Sequence, residues 1–195
     1  MKPSLRPLLL APRRQSDSRG WFGEIFHEQR LNAMGITQHF VQDNQSRSNR
    51  KGTIRGLHFQ APPAAQAKLV TVTQGRIIDV IVDIRSGSPT FGHHIAQELD
   101  SSAGLLLYVP EGYAHGFMTL VDDVVVTYKV SHYYSPSHEG GLRWNDPQIN
   151  VAWPFRGSEV TASVKDDSLP LLREFQSPFV YEGGLFEPIG DPAVF

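Results

Sequence analysis

Three ionisable side chains in this 195-residue chain sit inside otherwise apolar segments. His58 lies in Arg55-Gly56-Leu57-His58-Phe59, Lys68 opens Lys68-Leu69-Val70-Thr71-Val72, and Tyr128 lies in Val124-Val125-Val126-Thr127-Tyr128-Lys129-Val130. In a strand, alternate residues share a face. Lys68 then points with Val70 and Val72, Tyr128 with Val124, Val126 and Val130, and His58 with Ile54. Burying an ionisable group is costly unless it has a partner or a task. If the shared face is the inside of a barrel, an imidazole, an ammonium and a phenol converge in one partly dry cavity. Such groups can take, hold and return protons. The chain has no cysteine, which excludes disulfides, thiolate nucleophiles and Cys-based zinc sites together.

The elements that must position these groups read as short strands. Ile77 to Ile84 alternates, with Ile78, Val80, Val82 and Ile84 on one face and Asp79 and Asp83 on the other. Leu69 to Thr73, Leu105 to Val109 and Val124 to Val130 are further strands. Turn signals separate them at Gln74-Gly75, Ser86-Gly87-Ser88-Pro89, Ala103-Gly104, Pro110 to Gly112 and Asp122-Asp123. Short strands at this spacing predict an all-β sandwich or barrel. Helix is expected at Glu28 to Met34, stopped by Gly35. Hydrophobic residues make up 40% and charged residues 19%, with net charge −2, so a globular single domain over 1–195 is expected. That charge gives no reason to expect a nucleic-acid or anionic-membrane partner. The apolar run Leu8-Leu9-Leu10 is too short for a signal core or a membrane span, so a cytoplasmic protein is the expectation.

Pro110-Glu111-Gly112-Tyr113-Ala114-His115 has the form P-x-G-x-x-H and resembles the second motif of the cupin superfamily of jelly-roll barrels. Metal-binding cupins pair that histidine with an H-x-H on an earlier strand. Here the earlier strand reads His58-Phe59-Gln60, with glutamine in the second place. A catalytic metal usually needs three protein ligands, so no metal is expected.

A more specific resemblance follows. Gly52 to Gln60, Gln66 to Val70, Ser88 to Gly92, His115-Gly116-Phe117, Arg143-Trp144-Asn145-Asp146-Pro147 and Ser163 to Asp166 are similar to the dTDP-4-dehydrorhamnose 3,5-epimerase family, in order along the chain. The resemblance implies a cupin-type jelly-roll barrel with a few short peripheral helices. It also implies a homodimer that exchanges N-terminal strands, a core at about 40–150 and a peripheral segment at about 151–195. The implied reaction is inversion of a dTDP-linked 4-keto-6-deoxyhexose at C3 and C5, with no cofactor, toward dTDP-L-rhamnose for cell-surface polysaccharide.

By the same resemblance, His58 is the base and Asp166 the carboxylate that orients it, with Asp167 as the alternative register. Lys68 holds the ketone oxygen and Tyr128 is the opposing acid. Arg19, Glu24, Gln42, Asn44, Arg55, His115, Tyr134, Glu139 and Lys165 match substrate contacts. Tyr134 is the aromatic that stacks on thymine, and Arg19 and Glu24 serve the neighbouring subunit. His93-His94, Ala162 and the tail from Leu169 depart from the family pattern. Three rivals stand beside this reading. They are an epimerase acting at C3 or C5 alone, a metal-dependent cupin enzyme, and a non-catalytic binder of nucleotide sugars.

Overall fold

The computed structural model describes residues 5–184 and 186–195. In chain order the elements are β1 (Leu8–Ala11), β2 (Arg14–Asp17), β3 (Gly20–Gly23), α1 (Glu28–Ala33), β4 (Gln42–Ser48), β5 (Ile54–Gln60), β6 (Lys68–Gln74), β7 (Arg76–Asp83), β8 (His94–Asp100), β9 (Leu106–Val109), β10 (Tyr113–Thr119), β11 (Val124–Val130), β12 (Glu139–Gly141), α2 (Val164–Asp167) and β13 (Ala193–Val194). One sheet has the order β13-β1-β9-β6-β11-β4 and the other β12-β5-β10-β7-β8, while β2 and β3 pair with each other alone. The architecture is the expected all-β jelly roll. Glycines with positive φ at 75, 87, 104 and 112, and Asp123 at φ 54°, turn the chain where the sequence placed its breaks.

Apolar layers lie between the sheets and over part of the outer face of each. Between the sheets lie Val70, Val72, Ile77, Ile81, Leu107 and Phe117. Outside the five-stranded sheet, Ile54, Leu57, Phe59, Val80, Val82 and Met118 pack beneath residues 142–179. Outside the six-stranded sheet, Leu10, Leu69, Leu106 and Tyr108 pack beneath α1 and Phe195. Each fully buried aliphatic side chain contributes about 1.5–3 kcal/mol, so these layers are the main source of stability. Asp79 and Asp83 are wholly buried, so the face of β7 opposite Val80 and Val82 is a second inner face. Asp83 there accepts from Arg85, Ser88 and Thr90.

Both chain ends contribute to the six-stranded sheet. β1 pairs with β9 of its own chain, because Leu9 fills the interior and Leu10 the outer layer. In-chain pairing buries both, and the hairpin β2–β3 is left standing apart. The tail packs on the barrel as well, and β13 joins the edge of the six-stranded sheet. Phe179 packs on Phe59, Arg85 donates to the carbonyls of Gly183 and Gly184, and β13 runs parallel beside β1.

One irregularity decides which side chains face inward. His58 pairs with His115 and Arg55 with Phe117, so three steps on β5 oppose two on β10. This bulge puts Arg55 and His58 on one side and Ile54, Leu57 and Phe59 on the other. The strict alternation that placed His58 with Ile54 therefore fails at Gly56. That residue has φ 119°, and a Cβ there would lie 2.7 Å from both the Gly116 Cα and the His115 carbonyl oxygen. Gly56→Ala should therefore cost about 2–4 kcal/mol in urea unfolding, from backbone strain and overpacking. An unchanged midpoint would show that the close crossing is not required.

Candidate active site

Lys68 and Tyr128 stand on adjacent strands of the six-stranded sheet, where Val130 pairs with Lys68 and Tyr128 with Val70. They are diagonal neighbours on the inner face. His58 stands on β5, in the opposite sheet. A cavity of about 480 Å³ is lined by all three, together with Arg55, His115 and Lys165. A smaller lobe of about 130 Å³ shares His58, Lys68 and Tyr128 and adds Gln42, Asn44, Tyr134 and Glu139. The imidazole thus occupies one wall of a common waist, and the ammonium and phenol occupy the other.

His58 Nε2 lies 2.6 Å from Asp166 Oδ1. That bond fixes the ring and leaves Nδ1 as the nitrogen free for the cavity. Asp166 sits in α2, where Ser163 caps its backbone N–H at 3.0 Å. Burial pushes the Asp166 carboxyl up, but His58, Ser163 and the Gly56 N–H outweigh it and hold it below the usual carboxylate range. The register question resolves here: Asp167 points to the Trp144 indole, at 2.9 Å.

Lys68 is 9% exposed, and its Nζ donates to the His58 carbonyl at 3.3 Å. Burial lowers its pKa to about 8, against the opposing pull of Asp79 and Glu139. Behind it, His115 Nε2 bonds to the fully buried Asp79, 3.0 Å from Oδ2. Burial holds the His115 pKa down despite that carboxylate, which favours a neutral ring. Burial also raises the Tyr128 pKa, with Arg55 pulling the other way, so the phenol keeps its proton.

The polar residues at the mouth hold one another. Arg55 donates to Ser48 Oγ and to the Arg47 carbonyl. Glu139 accepts from Lys165 at 2.6 Å and from the Tyr134 hydroxyl at 2.8 Å. Burial raises its carboxyl and these two bonds outweigh the rise, so it stays below its ordinary value. Gln42 Oε1 accepts from the Tyr134 N–H, and its amide donates to Asn44 Oδ1. Gln60, where a metal cupin has its second histidine, donates to the Ala64 and Tyr133 carbonyls. Among the described residues no cluster of three or more His, Cys, Asp or Glu side chains has the geometry to hold a metal ion.

Two expected contacts lie elsewhere in this chain. Arg19 pairs with Asp17 at the tip of β2–β3, with its side chain 88% exposed, and Glu24 pairs with Arg30. Neither lines the cavity or its lobe. Asp79 was not singled out from the sequence; its signal is a carboxylate inside an apolar strand whose second face is also buried. None of the described tail residues from 175 onward lines the cavity or its lobe.

Residues 6–174 match the family model described as dTDP-4-dehydrorhamnose 3,5-epimerase. The chain is 47% identical over 173 residues to the dTDP-4-dehydrorhamnose 3,5-epimerase of Sinorhizobium fredii, covering 89% of this chain and 88% of that protein. The enzyme of that name from Bacillus anthracis, solved with TDP and pyrophosphate, superposes with TM-score 0.82 at 48% identity, over 85% of this chain and 93% of that one. The Legionella pneumophila dTDP-6-deoxy-D-glucose-3,5-epimerase, solved with dTDP-4-keto-L-rhamnose, gives TM-score 0.83 at 37% identity, over 91% and 100%. By sequence along most of its length and by the shape of its barrel, this chain belongs to the dTDP-4-dehydrorhamnose 3,5-epimerase family.

Proposed function

We propose that this protein converts dTDP-4-dehydro-6-deoxy-D-glucose to dTDP-4-dehydro-L-rhamnose by inverting C3 and C5. The observation that carries the reading is the disposition of proton-handling groups on facing walls of one cavity, His58 on one sheet and Lys68 with Tyr128 on the other. Protons on carbons beside a ketone are acidic enough for a positioned base to remove. His58 Nδ1 takes the proton, and the electron pair moves into the ketone oxygen to give an enolate. Asp166 stabilises the imidazolium that forms. The Lys68 ammonium faces the enolate oxygen, and a donor there lowers the barrier by about 3 kcal/mol. Tyr128 delivers a proton from the opposite wall, which inverts the centre; the imidazolium then gives its proton to solvent and the phenolate takes one back, so both groups are reset for the second centre. Electrons are redistributed within the substrate, and the step is an isomerisation with no redox change.

Arg55 and Lys165 supply guanidinium and ammonium donors suited to the diphosphate. Tyr134 offers a ring to thymine beside Gln42 and Asn44, while His115 and Glu139 add polar contacts. The exposed hairpin belongs to a homodimer in this reading. Trp21 is 56% and Phe22 69% exposed on it, an apolar surface suited to a second copy. Arg19 and Glu24 then complete the partner's nucleotide site. The nearest rival inverts C3 or C5 alone and would use the same four residues.

In deuterated water, the product should carry solvent deuterium at both C3 and C5, and label at C3 alone would overturn the double inversion. His58→Ala should lower turnover by about 100-fold or more, the low end of general base catalysis. Because Lys68 loses its charge as pH rises through about 8, kcat/KM should fall above that pH, and Lys68→Met should remove this limb along with most activity. A limb that persists in Lys68→Met would assign it to another group. Mixing inactive Arg19→Ala with inactive His58→Ala should restore activity through hybrid dimers with one intact site. Absence of complementation in a verified hybrid would place Arg19 outside the shared site.

A further inference from the structure

The one-turn helix that carries Asp166 has little of its own to hold it in place. Among residues of α2, Asp166 alone is buried, and Val164 is 89% exposed. A helix this short has no intrinsic stability, and no apolar side chain of the helix anchors it. Yet its one buried carboxylate meets His58 at 2.6 Å, a geometry that a small displacement would destroy. The constraint must come from the flanks. Upstream, the Ile54 N–H donates to the Thr161 carbonyl at 2.9 Å and the Thr161 N–H to the Gly52 carbonyl at 3.0 Å.

Downstream, the segment Arg143-Trp144-Asn145-Asp146 grips the chain at four points. The Arg143 N–H donates to the Pro170 carbonyl at 2.9 Å, and Arg143 Nε donates to the Leu169 carbonyl at 3.0 Å. Trp144 Nε1 donates to Asp167 Oδ1 at 2.9 Å. Asp146 Oδ2 accepts from the Leu172 N–H at 2.7 Å. The grip is itself rigid. Asp146 is 2% exposed, and its other oxygen accepts from the Gln148 and Ile149 N–H groups. Trp153 Nε1 donates to the Trp144 carbonyl, and the two indoles lie 6.5 Å apart, edge to face.

We infer that Arg143, Trp144 and Asp146 are positioning residues for the carbon base, holding the Asp166 segment so that its carboxylate fixes the His58 ring. None of the three lines the cavity, so they act through Asp166 and not on the substrate. The inference rests on the reading of His58 and Asp166 as the working pair.

The test uses Asp146→Asn in the full chain. The change is nearly isosteric and keeps Oδ1 for the Gln148 and Ile149 N–H groups. It turns an amide toward the Leu172 N–H and releases that anchor. Two readouts are followed, kcat against KM and the low-field proton resonance of the hydrogen-bonded His58 imidazole. The resonance is assigned by its loss in Asp166→Asn. The expected result is a cooperatively melting variant with a weakened or absent low-field resonance. Its kcat should be lowered about 10-fold or more at little-changed KM, since misplacement by about 1 Å can cost about 100-fold. In an Asp166→Asn background the same substitution should cause no further loss, because the interaction it supports is already gone. A retained resonance with unchanged kcat would overturn the inference, as would an equal fold-loss in both backgrounds. If Asp146→Asn does not fold, Trp144→Phe, which removes a single hydrogen bond, is judged by the same criteria. Wild-type turnover in Asp166→Asn would instead overturn the pairing of His58 with Asp166, while the resonance would still report whether the clamp holds that contact.

Discussion

A side chain that points between two packed sheets exchanges water for whatever the facing sheet offers, and an ionisable group loses by that exchange unless a partner waits there. The cavity in this barrel is lined by His58, His115, Lys68 and Tyr128, and nearly every feature around them answers the same demand. His58 has Asp166, His115 has Asp79, and Glu139 at the mouth has Lys165. Lys68 has a backbone carbonyl in hydrogen-bond range and carboxylates at longer reach, and its lowered pKa records the shortfall. An under-compensated ammonium is well suited to greet a developing oxyanion, because the negative charge it lacks arrives with the reaction.

The fold turns this constraint into a separation of roles. A jelly roll has two sheets, and the chain divides its proton-handling groups between them, with His58 and His115 on one and Lys68 and Tyr128 on the other. The cavity survives because β4 presents Gln42, Asn44, Ser46 and Ser48 on its inner side, where an aliphatic strand would have filled the space. Glycine makes the other contribution. Gly56 and Gly116 let β5 and β10 approach closely enough to bulge, and the bulge turns Arg55 toward the same side as His58. The tail, by contrast, packs away from the cavity: Phe186 joins the interior cluster beside Tyr113, and none of the described residues from 175 onward lines the cavity or its lobe.

The strands with aliphatic alternation were legible in the sequence. β6, β7 and β11 fall where the period of two places them, and α1 ends at Ala33, with Met34 as its C-cap ahead of Gly35. β4 and β10 were not legible as strands, for opposite reasons. β4 is polar throughout because one side faces solvent and the other a cavity. β10 is buried on both faces, so Tyr113, His115 and Phe117 inside and Ala114 and Met118 outside leave no alternation to read. The bulge at Gly56 defeats parity counting, because nothing in a strand's own residues announces that its neighbour will skip a step. The pairing of His58 with Asp166 spans 108 residues, and resemblance suggested it where local chemistry could not. Arg19 and Glu24 mark another limit: in this chain they pair with Asp17 and Arg30, away from the cavity.

In the proposed mechanism His58 takes a proton from one wall of the cavity and Tyr128 delivers another from the facing wall. The most direct measurement is solvent exchange by Tyr128→Phe, with the dTDP-4-keto sugar in deuterated water followed by proton NMR. Hydrogen beside the ketone should still exchange for deuterium while the sugar keeps its starting configuration, because abstraction persists and delivery to the opposite face is lost. Inverted product at the wild-type rate, or no exchange at all in a folded variant, would contradict it.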